Sequence, residues 1–361
     1  MTSIAAAVSH EVRRTEVREL PRPDPTSEAG LLRVELCGVC GSDWPYYLSY
    51  PKSKGPLILG HEAVGRIVQP GRSGLATGTR VVIEPNIPCG TCEVCLRGLG
   101  HVCPRKRSLG LNAPGAFAER VAVPGGFVHP VPAEVAPRDA VGLEPLAVAV
   151  RAVRLGGAAA GDPVAVVGCG NEGLLVVQVA AAMGARVLAV DRRAEMLRTA
   201  EQLGASRTLQ VLPDETPAAT GARLAAEWAP LVVFECAGVA SAVEVALQAP
   251  AAGGRVVLVG LAPRPVPLLP LHFVRRGLSL VGSLIYDHPQ DFLQAIELVR
   301  SGRVQPRALA AHVYPLEQAA LALERVAAGG TGKTVLDIGG VLTPESDRPA
   351  AATTARPAHR R

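Results

Sequence analysis

The sequence predicts an α/β protein in which a β-rich first region precedes a doubly wound parallel sheet. Residues 1–160 hold short valine-containing runs separated by glycine and proline, the pattern of short strands joined by turns. From Asp162 the pattern changes, because apolar runs then alternate with helix-like stretches. The first of these runs ends in the glycine-rich turn 168–173. A chain of 361 residues is too long for one ordinary domain, so we expect two.

Elements of the first region are predicted from their apolar residues and the turns beside them. Strands are expected at Leu31–Leu36, Ala63–Val68, Arg80–Glu84 and Ala118–Val123. A helix is expected over Ala140–Arg154, in which only Gly142 and Pro145 are unfavourable.

The second region is predicted as strands and helices in alternation. Strands are expected at Val164–Val167, Val187–Val190, Leu231–Glu235, Arg255–Val259 and Leu278–Gly282. Helices follow the first two strands, to Met183 and to about Leu203, and residues 291–300 and 316–328 are also predicted to be helical. Lys333–Ile338 is a predicted strand, and the Pro/Ala/Thr/Arg-rich tail after Gly340 is predicted to be disordered.

Composition excludes several classes of protein. With 48% hydrophobic and 19% charged residues, the chain is not wholly disordered. The net charge is only +5, and the last 21 residues, with four Arg against one Glu and one Asp, supply +2 of it, so a nucleic-acid-binding surface is not indicated. No apolar run is long enough for a membrane span and no export signal is visible, so we expect a soluble cytoplasmic protein.

The turn Gly168-Cys169-Gly170-Asn171-Glu172-Gly173 matches the pattern G-x-G-x-x-G between a strand and a helix. Gly168 permits the tight turn, Gly170 lets the backbone approach a pyrophosphate, and Gly173 allows the helix to pack closely on the strand. The helix N-terminus at Asn171 offers free N–H groups to the phosphates. Glu172 is unfavourable among these residues unless its side chain turns outward. The alternative is a turn in which glycine serves packing alone.

Asp191 ends the next predicted strand, 18 residues after Gly173, and indicates NAD as the cofactor. Its carboxylate would accept hydrogen bonds from both ribose hydroxyls and would repel a 2′-phosphate. The adjacent Arg192 and Arg193 would partly oppose this preference, so NADP is less favoured without being excluded. We include Asp191 and Arg192 with the glycine turn in the predicted cofactor site.

Six of the eight cysteines lie between residues 37 and 103, which in a reducing compartment favours metal binding over disulfides. Four closely spaced thiolates can close a tetrahedral zinc site that has no open position: Cys89, Cys92, Cys95 and Cys103. Such a site is structural and would stabilise a loop with little core of its own. An iron–sulfur cluster is an alternative because Pro104 follows the last cysteine, although the last gap is seven residues rather than three. A nucleic-acid zinc ribbon would need separated cysteine pairs and a basic face.

A second set of metal-ligating residue types lies in the same β-rich region. The segments Cys37-Gly-Val-Cys40-Gly-Ser-Asp43 and Gly60-His61-Glu62 supply cysteine, histidine and carboxylate, the ligands of a zinc that keeps an open position. Taken alone, each residue has a plainer interpretation, such as a small buried cysteine at Cys37 or a structural histidine. Their combination with the four-cysteine segment and the dinucleotide turn favours a catalytic metal.

With these motifs in this order, the chain resembles the medium-chain, zinc-dependent alcohol dehydrogenases, in their polyol (sorbitol-type) and threonine-dehydrogenase-like branch. The resemblance covers about residues 5–340 and includes Gly115–Glu119 and Glu144-Pro145-Leu146. It implies a GroES-like catalytic domain made of residues 1–152 and 290–340, with a Rossmann domain inserted between them at 153–289. Residues 341–361 would form the disordered tail.

The resemblance also implies a catalytic site made of Cys40, Ser42, Asp43, His61, Glu62 and Glu144. Cys40 and His61 would bind zinc together with a carboxylate, and either Glu62 or Glu144 could be the direct ligand, with exchange between them. Ser42 would contact the reacting alcohol and accept its proton, and Asp43 would orient the histidine. Zinc would lower the pKa of the alcohol, whose hydride passes to the nicotinamide.

Two features beside Cys40 need separate explanations. Many relatives have a proton-relaying histidine two residues after the aspartate, whereas this chain has Pro45, which can neither relay a proton nor donate a backbone hydrogen bond. Protons could leave through the cofactor ribose and water, or through Tyr46.

Four of the chain's twelve aromatic residues also lie beside Cys40: Trp44, Tyr46, Tyr47 and Tyr50. They could form a plug between the domains, or a pocket wall suited to a ring-shaped polyol.

We therefore expect a dehydrogenase that uses two zinc ions per chain and NAD to oxidise a secondary hydroxyl of a polyol, cyclitol, sugar or amino alcohol. A general secondary-alcohol or threonine-type dehydrogenase is the alternative within this class, and a catalytically silent NAD- and zinc-binding scaffold or sensor is the alternative outside it. The expected partners are the small-molecule substrate and further copies of the chain, in a homodimer or homotetramer. An exposed strand edge in Leu278–Tyr286 could pair across a two-fold axis. No nucleic acid and no membrane are expected.

Overall fold

The computed structural model describes residues 3–49, 56–329 and 331–342. Tyr50 and all but the first two residues of the tail 341–361 therefore lie outside the described residues. The described strands are, in chain order, β1 (Ser3–Glu11), β2 (Arg14–Pro21), β3 (Ala29–Val39), β4 (Leu57–Ile58), β5 (Glu62–Gln69), β6 (Arg80–Ile83), β7 (Asn86–Ile87), β8 (Arg107–Ser108), β9 (Arg120–Pro124), β10 (Val128–Pro130), β11 (Pro163–Val167), β12 (Arg186–Asp191), β13 (Arg207–Gln210), β14 (Val232–Glu235), β15 (Arg255–Leu258), β16 (Ser279–Gly282), β17 (Ala310–Pro315) and β18 (Lys333–Asp337).

The described α-helices are α1 (Trp44–Ser49), α2 (Glu93–Leu96), α3 (Pro137–Ala140), α4 (Leu143–Gly156), α5 (Asn171–Ala182), α6 (Ala194–Gln202), α7 (Pro217–Trp228), α8 (Ala240–Gln248), α9 (Pro270–Arg276), α10 (Gln290–Arg300) and α11 (Ala319–Ala327). Across the described part of the chain, no helix combines the length and the apolar character needed to cross a lipid bilayer.

The second region folds into a six-stranded parallel sheet in the order β13-β12-β11-β14-β15-β16. The order reverses between β11 and β14, and a ligand crevice forms at the carboxyl ends of strands at such a point. The glycine turn follows β11 at this edge. The predicted α/β class with a doubly wound parallel sheet is confirmed.

The first region forms a seven-stranded sheet in the order β10-β6-β5-β3-β18-β17, with β9 also paired to β3. Its last two strands come from the C-terminal part of the chain, and β18 runs antiparallel to β3 with Thr334 opposite Val39. This return places Lys333 beside β5 and its first residue, Glu62. The exact residues at which the two domains meet stay a prediction.

The helix α4 connects the two regions. It contacts the helices α5 and α10, the strands β5 and β6 of the β-rich sheet, and the strands β14 and β15 of the parallel sheet. Its apolar residues, among them Leu146 and Val150, belong to one buried cluster with Leu174 and Phe292. Its first turn carries Glu144, so this carboxyl is held where the β-rich sheet meets the parallel sheet.

Candidate active site

A short turn after β3 builds the first part of the site. Asp43 is fully buried, and its Oδ2 accepts a hydrogen bond from the backbone N–H of Cys40 at 2.8 Å. Its Oδ1 lies 3.3 Å from Nδ1 of His61. The other ring nitrogen, Nε2, lies 3.2 Å from Oγ of Ser42. Asp43 therefore orients the imidazole so that Nε2 faces Ser42.

Cysteine, histidine and carboxylate ligand atoms converge at this point. Atoms of Cys40, His61 and Glu62 that can bind a metal all lie within 4.8 Å of one another. Burial lowers the pKa of His61, but Asp43 and Cys40 outweigh burial and raise that pKa well above its usual range. Zinc binds neutral imidazole, so loading this site must release a proton. The donor set fits a zinc ion with an open coordination position.

Glu62 has a buried cationic partner, Lys333, whose Nζ pairs with both carboxylate oxygens. A Cβ at Gly38 would lie 2.1 Å from Oε2 of Glu62 and 2.9 Å from Cε of Lys333, so only glycine leaves room for this pair. Sequence reasoning missed Lys333. A usable signal was present, because it is one of only four lysines among 37 basic residues.

Glu144 approaches the same cluster from α4. It is 5% exposed, and burial raises its pKa from 4.5 to about 7, with Glu62 adding to the rise and His61 and Lys333 opposing it. The hydroxyl of Tyr286 accepts a hydrogen bond from Nδ2 of Asn86 at 2.7 Å and hydrogen-bonds Glu144. Tyr286, which follows β16, was also missed from sequence. Its position past the carboxyl end of an edge strand was the available signal.

The glycine turn lies at the start of α5. Gly168 has φ of +94°, and a Cβ on Gly173 would lie 1.8 Å from the carbonyl oxygen of Gly168. Gly170 precedes the helix, and a Cβ there would meet no described atom within 4 Å. The helix begins at Asn171, which is half-buried. The turn therefore presents backbone N–H groups to an open space at the N-terminus of α5.

The side chain of Glu172 does not turn outward to solvent, although its negative charge near the cofactor phosphates would favour that orientation. Its Oε1 is buried and has no hydrogen-bond partner among the described residues. Burial raises its pKa well above the usual range, and the neighbouring Glu144 adds to the effect. The carboxyl is thus directed from the glycine turn toward the metal-ligating cluster.

Asp191 ends β12 beside the glycine turn. Its Oδ2 accepts from the backbone N–H of Cys169 at 2.8 Å, and its Oδ1 accepts from the backbone N–H of Arg193 at 2.9 Å. Burial raises the pKa of Asp191, but hydrogen bonds from Arg193 and Cys169 outweigh it and lower the pKa. The Arg193 side chain also bonds the carboxylate, whereas Arg192 is exposed and its carbonyl accepts from Gln210. Sequence adjacency alone did not distinguish these two arginines.

The four cysteines of the segment 89–103 form one compact cluster. Their Sγ atoms lie 3.9 Å apart for Cys89 and Cys95, 3.4 Å for Cys92 and Cys95, 3.7 Å for Cys92 and Cys103, and 3.6 Å for Cys89 and Cys103. A zinc ion about 2.3 Å from each sulfur of a tetrahedron sets the sulfurs about 3.8 Å apart. The geometry fits a single zinc ion, since an iron–sulfur cluster distributes its four thiolates over two or four irons and therefore holds them further apart.

The segment around these cysteines, residues 89–103, also contacts the rest of the protein through His101. Its Nδ1 lies 3.0 Å from Oδ1 of Asp287, and its Nε2 lies 2.9 Å from the guanidinium of Arg151 on α4. Arg151 and Arg154 both pair with Asp287. Asp287 directly follows Tyr286, so this network fixes the segment that carries the tyrosine.

The aromatic residues after Asp43 do not all face a pocket. Tyr47 is buried in the core of the β-rich region, and its hydroxyl hydrogen-bonds the carbonyl of Arg13 and the carboxylate of Glu324. The interpretation of Tyr47 as a substrate-pocket wall is therefore wrong, because both its ring and its hydroxyl are already engaged. Trp44 is exposed and Tyr46 is half-buried. Both stay candidates for a pocket wall.

Comparison with known proteins gives two family matches. Residues 27–133 match the family described as alcohol dehydrogenase GroES-like domain, and residues 173–301 match the zinc-binding dehydrogenase family. The predicted combination of a GroES-like domain and a Rossmann sheet is thereby confirmed.

Individual relatives cover most of the chain. It is 35% identical over 326 residues to L-threonine 3-dehydrogenase of Bacillus licheniformis, covering 88% of this chain and 93% of the relative. It is 31% identical over 341 residues to sorbitol dehydrogenase of Gallus gallus, covering 92% and 95%. A crystal structure of an alcohol dehydrogenase from Escherichia coli in complex with NADH superposes with a TM-score of 0.86 at 26% identity, covering 94% of this chain and all of the other.

Proposed function

Since the chain belongs to the zinc-dependent alcohol dehydrogenase family, it is an oxidoreductase of alcohol groups, and we propose that it acts on a secondary hydroxyl of a polyol, cyclitol, sugar or amino alcohol. NAD would be the hydride acceptor. The observation that carries the proposal is the convergence of Cys40, His61 and Glu62 beside Glu144, at the edge of the sheet where the glycine turn lies. The closeness of Glu172 on the glycine turn to Glu144 and Glu62 supports the proposal that the metal-ligating cluster and the dinucleotide-binding turn serve one reaction.

When bound, zinc would polarise the hydroxyl of the alcohol, and the nicotinamide would accept the hydride from the carbon that carries this hydroxyl. The protein's own residues orient these groups and move the proton. Asp43 engages Nδ1 of His61, which leaves Nε2 for the metal. Ser42 now lies against that nitrogen, so loading of the site frees its hydroxyl to accept the substrate proton. Pro45 offers no route onward, and Tyr46 or the cofactor ribose would take the proton to solvent.

We propose that Glu62 and Glu144 share the carboxylate position. Each has a partner that can hold it away from the metal, Lys333 for Glu62 and Tyr286 for Glu144. The carboxylate nearer to Cys40 and His61 in this structure is Glu62. An exchange between the two would let the open position alternate between substrate and water.

The charges around the cleft support a substrate with several hydroxyl or ammonium donors. Three carboxyl groups, those of Glu62, Glu144 and Glu172, lie around the buried ammonium group of Lys333. Threonine and sorbitol, the substrates in the names of two relatives, both carry hydroxyl or ammonium donors. An amino alcohol is the second candidate, since an ammonium group can donate several hydrogen bonds to carboxyl oxygens.

We further propose NAD over NADP, because Asp191 is held ionised where a 2′-phosphate would lie. Two zinc ions per chain are part of this proposal, which the four-cysteine set and the set of Cys40, His61 and Glu62 support. We also propose a homodimer or homotetramer joined through β16, the last strand of the parallel sheet, whose residues are largely exposed. The domain division at residues 152 and 290 is part of the same proposal.

The test combines metal analysis with NAD reduction over sugars, inositols, aminocyclitols, linear polyols, threonine and simple secondary alcohols. We expect turnover of a polyhydroxylated or amino substrate and a large loss of kcat in S42A. S49A is the matched control, because Ser49 is an exposed serine at the end of α1. Turnover of simple alcohols alone would remove the substrate proposal and keep the mechanism. Full metal content without any turnover would favour the silent scaffold.

A further inference from the structure

A third cluster of metal-ligating side chains lies outside both predicted zinc sites. Oε2 of Glu84 lies 2.8 Å from Nε2 of His129 and 2.8 Å from Nδ1 of His288. Glu84 and His129 are buried. The other carboxylate oxygen, Oε1, is also buried and has no hydrogen-bond partner among the described residues. Two imidazole nitrogens therefore crowd one oxygen while its equivalent is left unsatisfied.

The cluster is held rigidly before any ligand binds. Glu84 follows β6, and its backbone N–H donates to the carbonyl of Phe127 at 2.9 Å. His129 lies on β10, which pairs with β6. Its ring stacks on Phe292 with centroids 5.0 Å apart, and the ring of His288 stacks on Phe127 at 4.6 Å. Fixed ring planes and paired strands preserve the three-atom arrangement.

We propose that Glu84, His129 and His288 form a binding site for a divalent cation of the zinc type. Two imidazoles and a carboxylate suit zinc, cobalt and nickel, whereas magnesium and calcium prefer all-oxygen sets. Ligands about 2.0–2.1 Å from a tetrahedral ion lie about 3.3 Å apart, so the present 2.8 Å contacts need to open by only about 0.5 Å. The side chain of His288 is 38% exposed, which gives the ion a path from solvent.

The site would act on the segment that carries Tyr286. His288 is two residues beyond that tyrosine, whose ring packs edge-on against Phe292 at 4.8 Å. An ion joining His288 to β6 and β10 would clamp this segment onto the β-rich sheet. It would thereby hold the Tyr286 hydroxyl in place against Glu144.

The experiment uses the full-length protein loaded with only two equivalents of zinc, for the four-cysteine site and the Cys40–His61 site. Co²⁺ is then added and its binding is followed by calorimetry and by visible absorption. We compare the wild type with H288A and with H288Q, which keeps side-chain length without an imidazole. H272A is the matched control, since His272 is an exposed histidine on α9 that belongs to no described ligand cluster. Circular dichroism checks that every variant is folded.

We expect the wild type and H272A to bind one more metal equivalent than H288A and H288Q. At the proposed site, the affinity of these two variants for Co²⁺ should be at least about 100-fold lower than that of the wild type. The Co²⁺ absorption bands should be missing in both His288 variants. Equal Co²⁺ binding in the wild type and folded His288 variants would overturn the proposal. Loss of the additional equivalent in H272A would overturn it as well, because the ion would then bind elsewhere.

Discussion

Replacing Glu144 with glutamine should have opposite effects on the metal-free and the zinc-loaded protein. In the absence of metal, burial raises the pKa of this carboxyl from 4.5 to about 7. That difference corresponds to about 3 kcal/mol of unfolding free energy. This value is an upper bound, because the positive charges of His61 and Lys333 stabilise the ionised carboxylate. The substitution E144Q removes the ionisable group while keeping an acceptor for Tyr286.

The sign follows from the two protonation states. Below pH 4.5 the carboxyl is protonated in both the folded and the unfolded chain, so its contribution to stability is fully present there. As the pH rises to about 7, the unfolded chain ionises first and the metal-free wild type loses stability relative to E144Q. With zinc bound, the carboxylate is compensated, so E144Q should instead weaken zinc retention at the open site.

The assay is urea unfolding at several pH values, after a mild chelator has removed metal from the open site and left the four cysteines loaded. E134Q is the control, because Glu134 is exposed and its replacement should not change the pH dependence. A wild-type to E144Q difference that stays constant between pH 4.5 and 8, or that changes in the opposite direction, would refute the reasoning. A smaller zinc loss in E144Q than in E62Q would make Glu62 the stronger ligand.

Three further predictions concern single contacts. K333M leaves the buried Glu62 carboxylate without its cation and should lower the unfolding free energy by about 3–5 kcal/mol, measured by urea denaturation, whereas K333R should retain most of it. D43N removes the negative charge beside His61 and replaces one carboxylate oxygen with an NH2 donor, so the side chain can no longer accept from both Cys40 and His61. It should weaken zinc binding at the open site about 10- to 100-fold, measured by competition with a chromogenic chelator, and unchanged affinity would argue against this orienting role. D191N removes the charge that opposes a 2′-phosphate and should raise the ratio of kcat/KM for NADP to that for NAD by about tenfold, which corresponds to about 1.4 kcal/mol. An unchanged ratio would assign the choice of cofactor to other residues.

Elements with a strong local pattern were predictable. The parallel strands β11 and β12 are continuous apolar runs ending in a glycine and an aspartate, and both were predicted within a residue or two. The hairpin of β1 and β2 was not predicted, because β1 is rich in alanine and β2 is mostly exposed. Pairing between the two strands, rather than intrinsic preference, decides their structure.

The same division holds within the site. Residues in dense motifs, such as Cys40 and His61, were predicted because ligand spacing is local in sequence. Lys333 and Tyr286 were not, because each reaches the cluster only through long-range packing. Lys333 is 271 residues from Glu62, and no local pattern relates the two. The inward direction of Glu172 likewise depends on the tertiary surroundings of α5.

The contacts of His101 make the four-cysteine segment more than a local support. A continuous series of contacts runs from the cysteines through His101 to Asp287, and the next residue is Tyr286, which touches Glu144. Oxidation of the four cysteines, or loss of their metal, would therefore shift Tyr286 relative to Glu144 while Cys40 and His61 stay in place. In a cell, such an enzyme would respond to thiol oxidants and to zinc supply through its substrate affinity before it unfolded.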